Sequence, residues 1–336
     1  MAGFGAAKKL QEGEKEVTLK NVDDTVVSDT KPKLGVTAAV DRYSSLKEEL
    51  ASLVANKLQT HLFVGIAGHE NTGKTAIVLD AFSTDEEAAA NDEQLWVIDF
   101  DGGGSATTSA FHSDNDRIRC WEPWVMLQGD RSAYDYPATH QRVMDIGHYA
   151  VDIARNQNKE DYDGPRIWGL LVTGMDLWDS ICINNMRIVD LNLAKDGIEA
   201  ADWNVKVGHQ WDWAIRKTRF HQLTAICRAL VKSGVRVFWE THLRMTNYSF
   251  GTNEDTARWR PDWEKASNNY VFQILLCERN DLRNEDGEVT KSEYTVTFEK
   301  SKTNAALQGQ KRTILVTELG KHPKWIGLPE LTDGSL

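Results

Sequence analysis

The chain of 336 residues is long enough for one α/β domain of about 250 residues with extensions and a large buried core. Its 39 Lys and Arg residues against 50 Asp and Glu residues give a formal net charge of −11, which excludes a surface that is basic all over. Any nucleic-acid site must therefore be local. The four cysteines form no C-x-x-C pair, so neither a zinc site nor a disulfide framework is indicated.

The first part of the chain is polar and has little periodicity. Residues 1–40 are rich in Lys, Glu, Asp, Thr and Gly, which is typical of a flexible arm. They lack the apolar segment of a signal peptide, and no apolar run in the chain approaches the roughly 18 residues of a membrane span. Apolar residues at helical spacing in 41–58 predict an amphipathic helix. We expect a cytoplasmic protein with no membrane partner, a domain over 41–320 and a C-terminal tail over 321–336.

A glycine-rich loop is the most specific feature of the sequence. Residues 68–75 read Gly-His-Glu-Asn-Thr-Gly-Lys-Thr and match the phosphate-binding pattern G-x-x-x-x-G-K-[ST] without a mismatch. A short apolar run precedes the loop and a helical pattern follows it. In this pattern backbone N–H groups surround phosphate oxygens, the lysine reaches the β- and γ-phosphates, and the last hydroxyl holds Mg²⁺. The predicted nucleotide-binding residues are Gly68, His69, Glu70, Asn71, Thr72, Gly73, Lys74, Thr75 and Ala76, with Thr75 also a Mg²⁺ ligand.

Short apolar runs after the loop predict the other strands of a buried, mostly parallel sheet, with helices between them. The predicted strands are 95–100, 167–173, 235–241 and 272–276, and the predicted helices are 137–157 and 209–233. Two alternating segments, 293–300 and 312–318, predict an antiparallel hairpin near the C-terminus. The fold class is therefore α/β.

With the loop, this order of strands and the terminal hairpin, residues 58–318 resemble the RecA superfamily of ATPases. They are similar in particular to the RecA-like ATP-binding proteins of phages and archaeal viruses, which assist recombination and single-strand annealing. The resemblance implies a RecA-like core with ATP and Mg²⁺ as cofactors, and self-association as a filament or ring. The run from Phe4 to Ala7 fits a Phe-x-x-Ala pattern with which some recombinases contact a neighbouring subunit; a plain disordered terminus is the alternative.

The resemblance also implies the carboxylates of the site. Asp101 matches the residue that orients the attacking water, with an aspartate where a glutamate is usual. A carboxylate that only caps the following glycine turn is the alternative for both Asp99 and Asp101. The metal-side aspartate is expected at the end of the strand 167–173, where Thr173 stands. Either Thr173 serves the metal, or Asp176 three residues later does, or hydrolysis is weak.

Three further residues match catalytic positions of the superfamily. His242 follows the strand 235–241 and matches the γ-phosphate sensor; a structural histidine is the alternative. Lys300 and Lys302 resemble a pair of cations that reach into the nucleotide of a neighbouring subunit. Two solvated lysines that protect an edge strand of the sheet are the alternative.

A long polar segment, 243–268, follows His242. In the relatives this segment is a mobile loop that touches DNA, and its arginines and aromatic residues suit the phosphates and bases of a single strand. Acidic residues dilute its charge, so an ordinary surface loop or a protein-binding loop is the alternative. The predicted DNA-binding residues are Arg244, Tyr248, Arg258, Trp259 and Arg260.

These features favour an ATP-binding RecA-like protein of a virus or mobile element, with slow ATP hydrolysis that DNA stimulates. It would act in DNA recombination, annealing or replication, with single-stranded DNA as its partner. A viral DNA-packaging or helicase-type motor is the second reading, which needs robust hydrolysis and a ring. The third reading is a nucleotide-stabilised assembly or scaffold protein with weak or no hydrolysis, which Thr173 favours.

Overall fold

The computed structural model of the protein describes residues 62–192, 212–246 and 258–336. The predicted arm, the helix over 41–58, the run from Phe4 to Ala7 and Tyr248 lie outside the described residues. In chain order the strands of the described part are β1 (Phe63–Gly68), β2 (Glu93–Asp99), β3 (Ile118–Trp121), β4 (Met126–Leu127), β5 (Asp130–Tyr134), β6 (Arg166–Thr173), β7 (Arg236–Thr241), β8 (Leu243–Thr246), β9 (Arg258–Pro261), β10 (Gln273–Arg283), β11 (Val289–Ser301), β12 (Lys311–Glu318) and β13 (Lys324–Trp325).

Helices connect most of these strands. In chain order they are α1 (Lys74–Ser83), α2 (Glu86–Ala90), α3 (Gly103–Phe111), α4 (Tyr136–Asn156), α5 (Met175–Asn185), α6 (Asp212–Lys232), α7 (Ser267–Tyr270) and α8 (Glu330–Asp333). A π-helical turn, Met186–Asp190, continues α5. A short 3₁₀ turn, Ala305–Leu307, lies between β11 and β12. None of the helices in the described ranges combines the length and the apolarity of a membrane span.

The central sheet has the strand order β13-β12-β11-β10-β1-β7-β6-β2-β3. The strands from β10 to β3 pair in parallel, and β10, β11, β12 and β13 pair antiparallel. The α/β class, the mostly parallel sheet and the C-terminal hairpin are therefore confirmed. Strand β11 lies between β10 and β12, and its last residues, which include Lys300, extend past the pairing with β12.

Apolar side chains cover both faces of the parallel strands, which explains why these strands read as continuous apolar runs. On one face the core includes Val143 of α4, Trp178 of α5 and Phe220 of α6. On the other face it includes Leu79 of α1 and Leu331 of α8. The segment 321–336, which we expected as a tail, thus adds a short strand and a helix to the domain.

The sheet places four of the predicted site positions at the carboxyl ends of its parallel strands. The glycine-rich loop follows β1, Asp101 follows β2, Thr173 ends β6, and His242 follows β7. Because the carboxyl ends of neighbouring parallel strands meet at the same edge, these residues lie close together, where open α/β sheets bind ligands. Strand β7 lies between β1 and β6, so its end is the nearest of these to the loop.

Candidate functional site

The glycine-rich loop joins β1 directly to α1. Asn71 and Gly73 have left-handed backbone conformations, with φ of 57° and 83°, and Gly73 is the residue before the first turn of α1. Gly68 leaves no room for a side chain, because a Cβ there would lie 2.5 Å from the Thr72 hydroxyl oxygen and 2.7 Å from the Cys277 carbonyl oxygen. A turn of this kind at the start of a helix is an anion-binding arrangement.

Lys74 lies along the inside of this loop. Its ammonium group donates hydrogen bonds to the carbonyl oxygens of His69, at 2.9 Å, and Gly68, at 3.3 Å. The Thr72 hydroxyl donates to the same His69 carbonyl at 2.8 Å. These bonds stabilise the shape of the loop.

A cavity of about 540 Å³ opens over the loop, within the range usual for small-molecule sites. Residues Glu70 to Ala76 form its floor. Phe111 and Trp325 also line it, and their rings lie 6.2 Å apart at 77°. Phe111 is 55% exposed, so its ring offers an accessible aromatic surface on the cavity wall. The remaining lining residues are Asp101, Gly103, Thr107, Glu240, His242, Arg279, Tyr294, Leu315, Thr317 and Pro323.

Glu240 is a site residue that the sequence pattern did not indicate. It lies on β7, and its Oε2 accepts a hydrogen bond from the Thr75 hydroxyl at 2.8 Å. Burial raises the pKa of Glu240 to about 8, although the bond from Thr75 and the charge of Lys74 act in the opposite direction. The signal that could have found it is a carboxylate within an apolar run predicted to be buried on both faces, where a charge needs a specific partner.

Asp99 caps helix α3. Its Oδ1 accepts from the backbone N–H of Gly104 at 3.1 Å, and its Oδ2 accepts from that of Ser105 at 2.7 Å. The side chain is fully buried, and its Oδ1 also lies 2.9 Å from the Thr173 hydroxyl. The structure therefore supports the capping reading for Asp99.

Asp101 is exposed at the cavity. Its Oδ1 accepts from the backbone N–H of Gly103 at 3.0 Å and lies 2.9 Å from the Thr173 hydroxyl. Thr173 is fully buried, and its single hydroxyl proton is shared between the carboxylates of Asp99 and Asp101. In this arrangement Thr173 orients the two aspartates. A direct role of Thr173 at a metal stays a prediction.

Asp176 and His242 form a hydrogen-bonded pair beside the cavity, which is an ion pair when the imidazole is protonated. The distance from His242 Nδ1 to Asp176 Oδ2 is 3.3 Å, and His242 itself lines the cavity. The hydrogen bond to Asp176 raises the pKa of His242, against the effect of burial. Burial acts to raise the pKa of Asp176, but the bond and the charge of His242 outweigh it, so the pKa is lowered. The metal role of Asp176 stays a prediction, and its carboxylate is hydrogen-bonded to His242.

Replacing the carboxylate tests this pair. In the Asp176→Asn variant we expect the pKa of His242 to fall, because burial then acts without the hydrogen bond and the charge of Asp176. The imidazolium would therefore be lost at lower pH than in the parent. NMR titration of the His242 ring resonances measures this shift. An unchanged His242 titration would contradict the pairing.

The predicted DNA segment is partly a β-ribbon, so the expectation of a continuous loop is wrong at its two ends. Strands β8 and β9 pair antiparallel, with Arg244 opposite Arg260 and Met245 opposite Trp259. Pairing of the segment's ends is a long-range contact that local composition does not predict. Arg244 is 58% exposed and pairs with Asp262 at 3.2 Å, which offsets part of its charge. Arg258 begins β9.

Trp259 connects this ribbon to the glycine-rich loop. Its ring lies 4.6 Å from the His69 imidazole at an interplanar angle of 86°, an edge-to-face contact. The tryptophan is nevertheless 52% exposed, so part of its ring faces solvent. The ribbon therefore touches the loop through one aromatic pair and also presents an aromatic surface.

Lys300 and Lys302 contact the end of the short helix α7. Lys300 donates to the carbonyl oxygens of Asn268 and Val271, and Lys302 donates to that of Asn269 at 2.9 Å. Burial lowers the pKa of Lys300 to about 8, and the charge of Lys302 acts in the same direction. Both lysines thus lie together, and a role in a neighbouring subunit stays a prediction.

Comparison with known proteins assigns the chain to no family. No protein-family model matches the chain, and no curated protein matches it. The resemblance to the RecA superfamily therefore stays a prediction from the sequence.

Proposed function

We propose that the protein binds ATP with Mg²⁺ in the cavity above the glycine-rich loop. The observation that carries the proposal is the complete phosphate-binding pattern on a strand–loop–helix unit, with Lys74 and Thr75 lining a cavity. The triphosphate would lie on the loop, with Lys74 at its β- and γ-phosphates. The base would lie toward Phe111 and Trp325, because flat rings there suit stacking.

The residues present fit a magnesium ion. Thr75 donates its hydroxyl proton to Glu240, so its lone pairs are left for a cation. Among the described residues no group of three or more His, Cys, Asp or Glu side chains would hold a metal on its own. Mg²⁺ at nucleotide sites is usually held by one or two carboxylates together with phosphate oxygens and waters. Bound there, Mg²⁺ would neutralise charge on the β- and γ-phosphates.

Hydrolysis is proposed at the same site. Asp101 is an exposed carboxylate on the cavity wall, and Gly103 and Thr173 fix its Oδ1. A carboxylate held in this way can orient a water toward the γ-phosphate. His242 would sense the γ-phosphate as a donor on the same wall, with Asp176 favouring its charged form. Lys300 and Lys302 would complete the site of a neighbouring subunit in a filament or ring.

We further propose that the nucleotide controls contact with single-stranded DNA, in recombination, annealing or replication of a virus or mobile element. The support is the ribbon of β8 and β9, which carries exposed Arg244 and Trp259 and touches His69 of the loop. Arginines suit phosphates, and an exposed indole suits stacking on bases. A scaffold protein with little hydrolysis is the second candidate, favoured by Thr173 at the end of β6, where a hydroxyl supplies no negative charge to a metal.

The test measures ATP turnover without DNA and with single-stranded or double-stranded DNA. For the parent we expect slow turnover that single-stranded DNA stimulates. In a variant with Arg244→Ala, Arg258→Ala and Arg260→Ala we expect the unstimulated rate to stay, while DNA affinity falls. The dependence of DNA binding on salt should also weaken, because each lost phosphate contact releases fewer counterions.

A matched control removes the same amount of positive charge from exposed positions outside the ribbon. It changes to Ala three arginines of α4 and α6: Arg142, Arg155 and Arg228. This control should keep DNA affinity, salt dependence and stimulation close to those of the parent. Equal losses in both triple variants would assign the effect to net charge instead of the ribbon. Nucleotide binding with no turnover under any condition would favour the scaffold function, and fast turnover coupled to translocation would favour a packaging or helicase-type motor.

A further inference from the structure

Strand β7 brings a buried carboxylate to the glycine-rich loop. Glu240 is 1% exposed, and one of its oxygens, Oε2, accepts from the Thr75 hydroxyl at 2.8 Å. The other oxygen, Oε1, is buried and meets no hydrogen-bond partner among the described residues. Leaving a buried carboxylate oxygen without a partner is costly, so the position is built for a further partner. Since Glu240 lines the cavity, that partner would come from the cavity side.

The order of the strands explains why this carboxylate is well placed. In the register of the sheet Glu240 lies opposite Ile66 of β1, two residues before the loop begins at Gly68. Thr173 lies on β6, which is one strand further from β1. Neighbouring strands are about 4.8 Å apart, so the end of β6 is roughly twice as far from the loop strand as the end of β7.

The two residues expected to serve the metal are already engaged elsewhere. The Thr173 hydroxyl faces the carboxylates of Asp99 and Asp101. The Asp176 carboxylate is paired with His242. Glu240, in contrast, contacts the one hydroxyl that the loop pattern assigns to Mg²⁺.

We propose that Glu240 is the metal-side carboxylate of this site, and that it holds the Mg²⁺ of the bound nucleotide directly or through a coordinated water. The inference rests on the proposed ATP site, and it identifies the residue that would supply the negative charge expected beside the metal. The hydrogen bond from Thr75 orients that hydroxyl, so its lone pairs point away from Glu240. Carboxylate, hydroxyl and phosphate oxygens are the ligands that Mg²⁺ prefers. The negative charge absent from the end of β6 is thus supplied by the neighbouring strand.

The experiment compares the affinity of the purified protein for a fluorescent ATP analogue in excess Mg²⁺ and in EDTA. For the parent we expect tighter binding in Mg²⁺. In the Glu240→Gln variant we expect this preference for Mg²⁺ to fall about 10- to 100-fold, the usual effect of removing a group that tunes a metal site. In EDTA the variant should bind the analogue about as tightly as the parent, because no metal is then present for the carboxylate to hold. A merely structural role would weaken binding in both conditions.

Two further variants complete the test. Glu278→Gln removes an exposed glutamate of β10 and should leave the preference for Mg²⁺ unchanged. Glu240→Asp keeps the charge but shortens its reach, and should reduce the preference less than Glu240→Gln does. If Glu240→Gln does not fold, Glu240→Asp is the test variant. A preference for Mg²⁺ equal to that of the parent would then overturn the inference.

The outcomes separate the role of Glu240 from the proposed function. A parent that binds no ATP analogue would overturn the ATP site itself. A parent that binds it equally well with and without Mg²⁺, or a Glu240→Gln variant that keeps the full preference, would overturn the role of Glu240 and leave the ATP site standing. The role of Glu240 is likewise overturned if Thr173→Val or Asp176→Asn removes the preference while Glu240→Gln keeps it.

Discussion

The Lys74→Ala variant is expected to lose ATP binding and, with it, turnover. In the proposed complex the Lys74 ammonium faces the β- and γ-phosphates, and removing one partner of a buried, hydrogen-bonded charge pair costs about 2–5 kcal/mol. A loss of this size lowers affinity by at least about 30-fold. Equilibrium binding of a fluorescent ATP analogue measures the effect.

The loop itself provides the main complication, because Lys74 also donates to the carbonyl oxygens of Gly68 and His69. Each of these bonds contributes about 1 kcal/mol to stability, so the variant should unfold at a somewhat lower temperature than the parent. Lys74→Met, which keeps most of the length of the side chain, tests whether loop shape or charge is lost. Lys232→Ala at the exposed end of α6 is the matched control. A folded Lys74→Ala protein with parental affinity and turnover would contradict the phosphate-loop assignment.

The Asp101→Asn variant is expected to bind ATP nearly as well as the parent but to hydrolyse it about 10²–10⁴ times more slowly. The amide oxygen can still accept from Gly103 and Thr173, so the shape of the turn is kept. What is lost is the negative charge that would orient the attacking water. Single-turnover hydrolysis with saturating protein measures the chemical step apart from binding.

Asp99→Asn is the informative comparison, because it changes a carboxylate only two residues away. Asp99 is buried and accepts from the backbone N–H groups of Gly104 and Ser105, so its replacement should lower the melting temperature more than Asp101→Asn does. A greater loss of turnover in Asp176→Asn than in Asp101→Asn would show that the two carboxylates have exchanged roles.

Much of the fold could be predicted from the sequence, because the parallel strands are buried on both faces. The runs 95–100 and 167–173 correspond to β2 (Glu93–Asp99) and β6 (Arg166–Thr173), and the helix over 137–157 corresponds to α4 (Tyr136–Asn156). Short strands such as β3 and β13 were not predicted. Strands of two to four residues carry little periodicity of their own and are stabilised by the neighbours they pair with.

The site was predicted less completely, for a physical reason. The glycine-rich loop is local in sequence, so its pattern alone indicates its geometry. The contact of Glu240 with Thr75 joins residues 165 positions apart, and the contact of Lys300 with Asn268 joins residues 32 positions apart. Both depend on the order of strands in the sheet and on side-chain directions, which the sequence pattern does not specify. The pattern of β7 indicated only His242 beyond its end, whereas Glu240 stands within the apolar run itself.

The contact between His69 and Trp259 has a thermodynamic consequence. One ring belongs to the loop proposed to hold the triphosphate, and the other belongs to the ribbon proposed to meet DNA. A ligand that favours one arrangement of this pair shifts the populations of both segments. Coupling of this kind is reciprocal, so whatever factor ATP adds to the affinity for a DNA strand, the strand must add to the affinity for ATP. This aromatic contact would thus let bound DNA favour one nucleotide state by the same factor as the nucleotide favours bound DNA.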